Sequence, residues 1–286
     1  MSALALALVL TAAFLHAAWN YLLKRTGGGI GFIWLFALFS TLIYAPLAFG
    51  LVIWQKPHLA FIQIAFICGS VILHTVYYLL LDRGYRAGDL SLVYPLARGS
   101  GPLLAVAAAI LVLGERPSPL AIAGAIMIGI GAFTLTGDPR KLRESGALHA
   151  VGFALLTGTF IAAYTLWDKV AVSTLMIPPL LQDWGTNLGR TFMMIPLAAR
   201  NFGNVKKAWN NFRKEVIMVA IMGPASYILI LSAMAFTPVS YVAPSREISI
   251  FIAALMGSHF LAEGNLARRL LASAAMVIGV IALAVG

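Results

Sequence analysis

Apolar residues run along this chain in ten blocks, each near the roughly 20 residues that a helix needs to cross a bilayer. The blocks are Ala3 to Leu23, Ile30 to Trp54, Leu59 to Leu81, Leu90 to Leu113, Leu120 to Thr136, Ala147 to Trp167, Ile177 to Ala199, Val216 to Phe236, Pro238 to Leu261 and Leu266 to Val285. Between them stand turn-forming and charged residues, as in Lys24-Arg-Thr-Gly-Gly-Gly29 and in Gly137-Asp-Pro-Arg-Lys-Leu-Arg-Glu144. The longest connection, Arg200 to Glu215, is too polar to span. The pattern predicts an all-α integral membrane protein with ten transmembrane helices.

The pattern also repeats. Thr11 to Lys24 (TAAFLHAAWNYLLK) returns 145 residues later as Leu156 to Lys169 (LTGTFIAAYTLWDK), with Trp19 against Tyr164 and Lys24 against Lys169. A second echo sets Ser91-Leu-Val-Tyr-Pro95-Leu-Ala-Arg98 beside Ser240-Tyr-Val-Ala-Pro244-Ser-Arg246. Each echo leads into an apolar run that closes on Gly114-Glu115 or Ala262-Glu263. The chain therefore divides into a first five-helix repeat, residues 1–137, and a second, residues 147–286. Five helices is an odd number, so the second copy enters the membrane upside down relative to the first, and a binding site is expected where the two inverted repeats meet. The N-terminal apolar run belongs to the repeat and has no basic flank, so it is expected to stay in the mature protein rather than act as a signal peptide.

Composition agrees: 61% of the 286 residues are hydrophobic and 10% are charged, against about a quarter charged in soluble domains. The formal charge of +10 would suggest a polyanionic partner, but 17 of the 20 Lys and Arg fall in short connections, which excludes nucleic acid as the reason for them. Of those, 14 lie in odd-numbered connections; Lys56, Arg116 and Lys169 lie in even ones. The positive-inside rule then puts the odd connections in the cytoplasm and both termini outside. Cys68 has no partner for a disulfide or a thiolate metal site and reads as packing.

These features together resemble the EamA-type branch of the drug/metabolite transporter superfamily, across essentially the whole chain. The residues that carry the resemblance are His16-Ala-Ala-Trp19-Asn20, the segment from Gly88-Asp-Leu to Arg98, the Pro238-Val-Ser-Tyr-Val-Ala-Pro244 echo, and Glu115 and Glu263 at the ends of the fourth and ninth helices. The resemblance implies a multi-pass carrier of the bacterial inner membrane, with a central cavity lined by both repeats, usually exporting small metabolites or amino acids. It also implies cytoplasmic termini, against the charge count.

Candidate site residues are polar groups that hydrocarbon would not tolerate. Arg98, Asp183, Arg190, Arg246 and Glu247 fall well inside predicted spans and must face protein or water. Arg98 and Arg246 occupy near-equivalent places in the two repeats, so symmetry brings them together. Pro95 and Pro244 each free a carbonyl four residues back, at Ser91 and Ser240, and predict kinks there. Asp183, Asn187, Arg190 and Thr191 share one face of the seventh helix, either as an internal Asp183 to Arg190 pair bridged through Asn187 or as part of a binding wall. His16, Trp19 and Asn20 share a face of the first helix, and His74, Tyr77 and Tyr78 one of the third. A neutral histidine bonded to a hydroxyl is the structural reading of both; a titrating or ligand-contacting wall is the functional one. Tyr94, Tyr164, Tyr227 and Tyr241 could add hydroxyls. Glu115 and Glu263 read as helix-end partners of Arg116 and Arg268, and Gly99, Gly101, Gly129 and Gly131 as packing sites.

No H-E-x-x-H, G-x-S-x-G, Walker or G-x-G-x-x-G pattern occurs, so neither an enzyme nor a cofactor is expected. A secondary transporter, an exporter of a small polar anionic or zwitterionic metabolite such as an amino acid or organic anion, is the expected function. Arg98, Arg246, Asn20, Trp19, Tyr94, Asn187 and Arg190 would bind the cargo. His16, His74, Asp183 and Glu247 are the candidates for coupling to protons, since no ATP motif is present. The alternative is a flippase for a lipid-linked phosphate carrier, which would use the same paired arginines.

Overall fold

The computed structural model describes residues 1–87, 90–136, 147–252 and 266–286. Among them the secondary structure is entirely helical: α1 (Ala3–Arg25), α2 (Ile30–Gln55), α3 (Phe61–Ala87), α4 (Leu90–Val112), α5 (Pro119–Thr136), α6 (Ala147–Ser173), α7 (Pro179–Met193), α8 (Ile195–Arg200), α9 (Phe202–Phe236), α10 (Val239–Arg246) and α11 (Leu266–Val285). Five segments are long and apolar enough to cross a membrane: Ala3–Leu23, Ile30–Gln55, Phe61–Gly84, Leu148–Ser173 and Phe202–Phe236. Leu96–Val112, Pro119–Thr134 and Leu271–Val285 are shorter apolar helices. The outer faces carry large apolar side chains such as Trp54, Phe61, Leu111 and Leu148, each more than four-fifths exposed, a surface suited to lipid rather than water. Cys68 is also exposed, so it is not core packing. The division at 137–146 and Glu263 lie outside the described residues, as do the side chains of Tyr94 and Arg268.

Three expectations about helix continuity need correction. The connection Arg200 to Glu215 is not a loop: α9 begins at Phe202, and residues 202–211 form a helix before Phe212 leaves helical geometry at φ −136°, ψ 28°. A straight 35-residue helix would be about 52 Å long, more than a bilayer core, so the break at Phe212 separates a surface piece from a spanning piece. Val205, Trp209 and Phe212 turn inward onto the cluster around Phe32 and Phe36, and Trp209 stacks on Phe39 at 4.8 Å. Second, the seventh apolar block is interrupted at Met194, because Pro196 cannot donate to a continuing helix, so α7 and α8 are separate. Third, the ninth block breaks at Glu247, three residues past Pro244, and helical turns resume at 248–252. The kink foreseen at Pro244 is thus a full interruption, whereas α4 continues past Pro95 to Val112.

Each helix packs on two or more others. α3 lies on α6 and α1 on α9; α4 lies on α6 and α1 on α10; α2 packs on α9 and α3 on α7; α5 pairs with α11, α2 with α7 and α4 with α10. At the α5 and α11 crossing the backbones touch: a methyl group built on Gly124 would sit 2.6 Å from the Gly279 carbonyl oxygen, and one on Gly279 would sit 2.7 Å from that of Gly124. Gly99, Gly101, Gly129 and Gly131 likewise admit Phe133, Ile161, Leu103 and Met276 against the backbone, as expected of packing glycines.

One end of the bundle is tied by hydrogen bonds between distant parts of the chain. Gly114, at φ +67°, ends α4 and turns Glu115 toward α10. Its carboxylate accepts the Val239 and Ser240 backbone N–H groups at 2.7 and 2.9 Å, which satisfies two of the four donors that a helix start leaves unpaired. Glu115 is therefore a cap for α10 rather than a partner for Arg116. Beside it, the Met1 ammonium donates to Ala284 O at 3.0 Å, and the Tyr241 hydroxyl accepts the Ser118 N–H at 3.3 Å. Lys169, expected in a connection, lies inside α6 and donates to Met234 O and Thr237 O at the end of α9, at 2.6 and 3.1 Å.

Candidate functional site

A cleft of about 70 Å³ opens between α1, α2, α3, α4, α6, α7, α9 and α10. Its wall contains His16, Trp19, His74, Arg98, Asp183, Asn187, Arg190 and Arg246 among the residues singled out from sequence. The five charged residues expected to avoid lipid do so: Arg98, Asp183, Arg190, Arg246 and Glu247 are all at most 5% exposed.

Arg98 and Arg246, expected to come together, both approach Glu247. They share Glu247: Arg98 Nε lies 3.6 Å from one carboxylate oxygen and Arg246 Nε 3.5 Å from the other. Both arginines line the cleft, while Glu247 lines a separate pocket behind them with Gly99, Pro102 and Gly129. Glu247 is thus the counter-ion at the back of the guanidinium pair and does not face the cleft. Arg246 Nε and Nη2 make no hydrogen bond, nor do the Ser240, Ser245 and Ser249 hydroxyls or either Glu247 oxygen. Buried polar atoms left this way are rare in folded proteins, and several in one decade of sequence mark a place where water or a ligand belongs.

The α7 stripe forms an internal relay. Asn187 Nδ2 donates to Asp183 Oδ2 at 3.0 Å, and Asn187 Oδ1 accepts from Arg190 Nη2. The Arg190 guanidinium is sandwiched by the Phe36 and Tyr78 rings, 4.9 and 4.7 Å from their centroids. Thr191 turns to its own helix, bonding Asn187 O.

The two histidines have opposite surroundings. His16 Nε2 is in hydrogen-bond contact with Arg98 Nη2. A guanidinium only donates, so His16 must present a bare nitrogen there and stays neutral while the contact lasts. His74 Nε2 faces Asp168 Oδ2 at 3.0 Å, an acceptor, so it carries a hydrogen. Neither histidine bonds the hydroxyl that the sequence suggested. Asn20 does not line the cleft; its amide donates to His16 O at 2.7 Å. Of the four tyrosines, Tyr164 and Tyr227 line the cleft, whereas Tyr241 lies at the tied end.

Asp168 escaped the sequence reading because the sixth apolar block was ended at Trp167. The helix runs on to Ser173, and Asp168 is fully buried. Its carboxylate accepts from Tyr227 Oη at 2.5 Å, from Gln182 Nε2 at 2.9 Å and from His74. With Asp168 counted, three buried arginines face three buried carboxylates. With all six ionised, the excess of one positive charge counted over five groups disappears, and the cleft then does not favour an anion by net charge alone. Among the described residues no group of three His, Cys, Asp or Glu is arranged to hold a metal ion.

Comparison with known proteins bears on the fold alone. No family model matches the chain, and no curated protein matches it. Twenty-nine chains of solved structures are similar. One, described only as "Crystal structure of protein", aligns over 98% of both chains with a TM-score of 0.76 at 16% identity, so the helical arrangement is one already seen in a solved structure.

Proposed function

We propose that this chain is a secondary membrane transporter of the EamA type, an exporter of a small polar zwitterionic or anionic metabolite, built as ten spans in two inverted five-helix repeats of a bacterial inner membrane. Helix packing supports the repeat. Exchanging α1 with α6, α2 with α7, α3 with α9, α4 with α10 and α5 with α11 relates α3–α6 to α1–α9, α4–α6 to α1–α10 and α2–α9 to α3–α7, whereas the α6–α9, α7–α9 and α5–α10 contacts have no counterpart of similar extent. The approach of Met1 to Ala284 supports an even number of crossings, and the tied end gathers only even-numbered connections and the termini.

The observation that carries the function is the meeting of Arg98 and Arg246, from exchange-related helices, on a cleft where Arg246 has donors to spare. A planar guanidinium pair suits a carboxylate or similar head group. Trp19 Nε1 also lacks an acceptor on the same wall, and the rings of Tyr77, Tyr164 and Tyr227 on that wall suit an apolar remainder. The zero sum of buried charges favours a zwitterion over a simple anion. Rocking of one five-helix half against the other would alternate access.

Purified protein in liposomes should exchange at least one member of a panel of amino acids and organic anions in counterflow, above protein-free vesicles. No exchange across the whole panel would remove the reading. Orientation is tested separately. Lys206, Lys207, Arg213 and Lys214 in the surface part of α9 point to the cytoplasm by the positive-inside rule. In a Cys68→Ser background, Asn204→Cys should resist an impermeant maleimide in intact cells and react after lysis; labelling in intact cells would reverse the topology.

A further inference from the structure

We infer that His74 and Asp168 form the proton-loading site of the cleft, an imidazole and carboxylate pair in which the exchanging proton sits on His74 Nδ1. The inference rests on the transporter reading only for what the proton is used for. Asp168 belongs to no motif in the sequence, yet it is fully buried and holds three donors, from α3, α7 and α9. With Nε2 committed to Asp168, Nδ1 is the atom at which the imidazole gains or loses charge. The ring is on the cleft wall, stacked on Tyr164 at 4.1 Å and edge-on to Tyr227 at 5.3 Å, so its proton can exchange with water in the cleft. An imidazolium formed there is balanced at once by the carboxylate 3.0 Å away.

The remaining candidates are worse placed. His16 has a guanidinium where His74 has a carboxylate, so a proton on its Nε2 would break the Arg98 contact and put two cations together. Glu247 is behind the arginines, and Asp183, which also lines the cleft, takes one side-chain donor, from Asn187, where Asp168 takes three. The charged and titratable groups around His74 are Asp168 and Tyr164 from α6, Tyr227 from α9, Asp183 and Arg190 from α7, Tyr77 and Tyr78 of its own helix, and His16, Arg98 and Arg246 across the cleft. Loading the pair adds one positive charge to the buried sum, and unloading removes it. That change is felt directly by whatever occupies the cleft.

The test is ¹⁵N NMR of histidine-labelled protein in lipid nanodiscs, titrated from pH 8 to pH 5, the range in which imidazoles change charge, with His74→Gln to assign the signal. His74 should hold a hydrogen on Nε2 throughout and gain one on Nδ1 as the pH falls, while His16 Nε2 stays bare. Asp168→Asn should abolish the gain at Nδ1. Tyr227→Phe removes a donor from the carboxylate and leaves more of its charge for His74, so the proton should be held to higher pH, the opposite sign. If Asp168→Asn does not fold, Tyr227→Phe decides alone. A His74 Nδ1 that remains bare to pH 5, or one that Tyr227→Phe leaves unchanged, overturns the assignment. The titration needs no cargo: its success with no counterflow would sink the transporter reading alone, and counterflow with an untitrated His74 would sink this one alone. In transport, His74→Gln should flatten the pH profile and His16→Gln should not.

Discussion

Arg98→Ala and Arg246→Ala are each expected to lower transport by roughly thirtyfold or more, since losing the arginine's side of the hydrogen-bonded charge pair it would make with a bound carboxylate costs about 2 kcal/mol or above. Protein abundance should stay near wild type, because the arginine that remains still balances Glu247. Lysine at either place should restore transport only in part: it returns the charge but not the planar fork that can hold two oxygens at once. Transport in reconstituted vesicles, normalised to folded protein, separates the two roles open to these side chains. Normal specific activity in a small surviving fraction would mean that the pair holds the helices together and does not touch cargo.

Gly124→Leu is expected to be the most damaging single change to the scaffold. Even the first methyl group would land 2.6 Å from the Gly279 carbonyl, and that oxygen belongs to a helix backbone that cannot step aside locally. α5 and α11 would have to separate along their shared length, and Gly124→Ala should already cost about 1–3 kcal/mol. The reading is a drop in melting temperature and in the monodisperse fraction after detergent extraction. Gly152→Ala, where nothing lies within 4 Å of the added carbon, is the matched control and should be neutral. Equal behaviour of the two would show that the crossing tolerates more room than its geometry allows.

The helical architecture was legible because a bilayer demands long apolar runs, and the near-equivalence of Arg98 and Arg246 predicted their meeting. What stayed hidden follows from reading hydropathy as a sum. Asp168-Lys169 looks like the end of a span, yet α6 continues because each charge finds partners on other helices, the carboxylate on α3, α7 and α9 and the ammonium on the last carbonyls of α9. Residues 202–211 look like a polar loop, yet Val205 and Trp209 recur at helical spacing and only the neighbouring Phe32, Phe36 and Phe39 make that face worth burying. The role of Glu115 was unreadable for another reason. Its partners are backbone amides 124 and 125 positions away, and amides carry no sequence identity.

That cap has a mechanical meaning. α10 is a rigid rod of eight residues with Arg246 at its far end, and Glu115 grips its near end from the opposite half of the chain. Pulling the halves apart on this face would strip a carboxylate and two amides of their partners together. The face behaves as a latched door. Any movement that leaves the latch closed must swing about it, and under the proposed alternating access the latch would have to open once in each cycle.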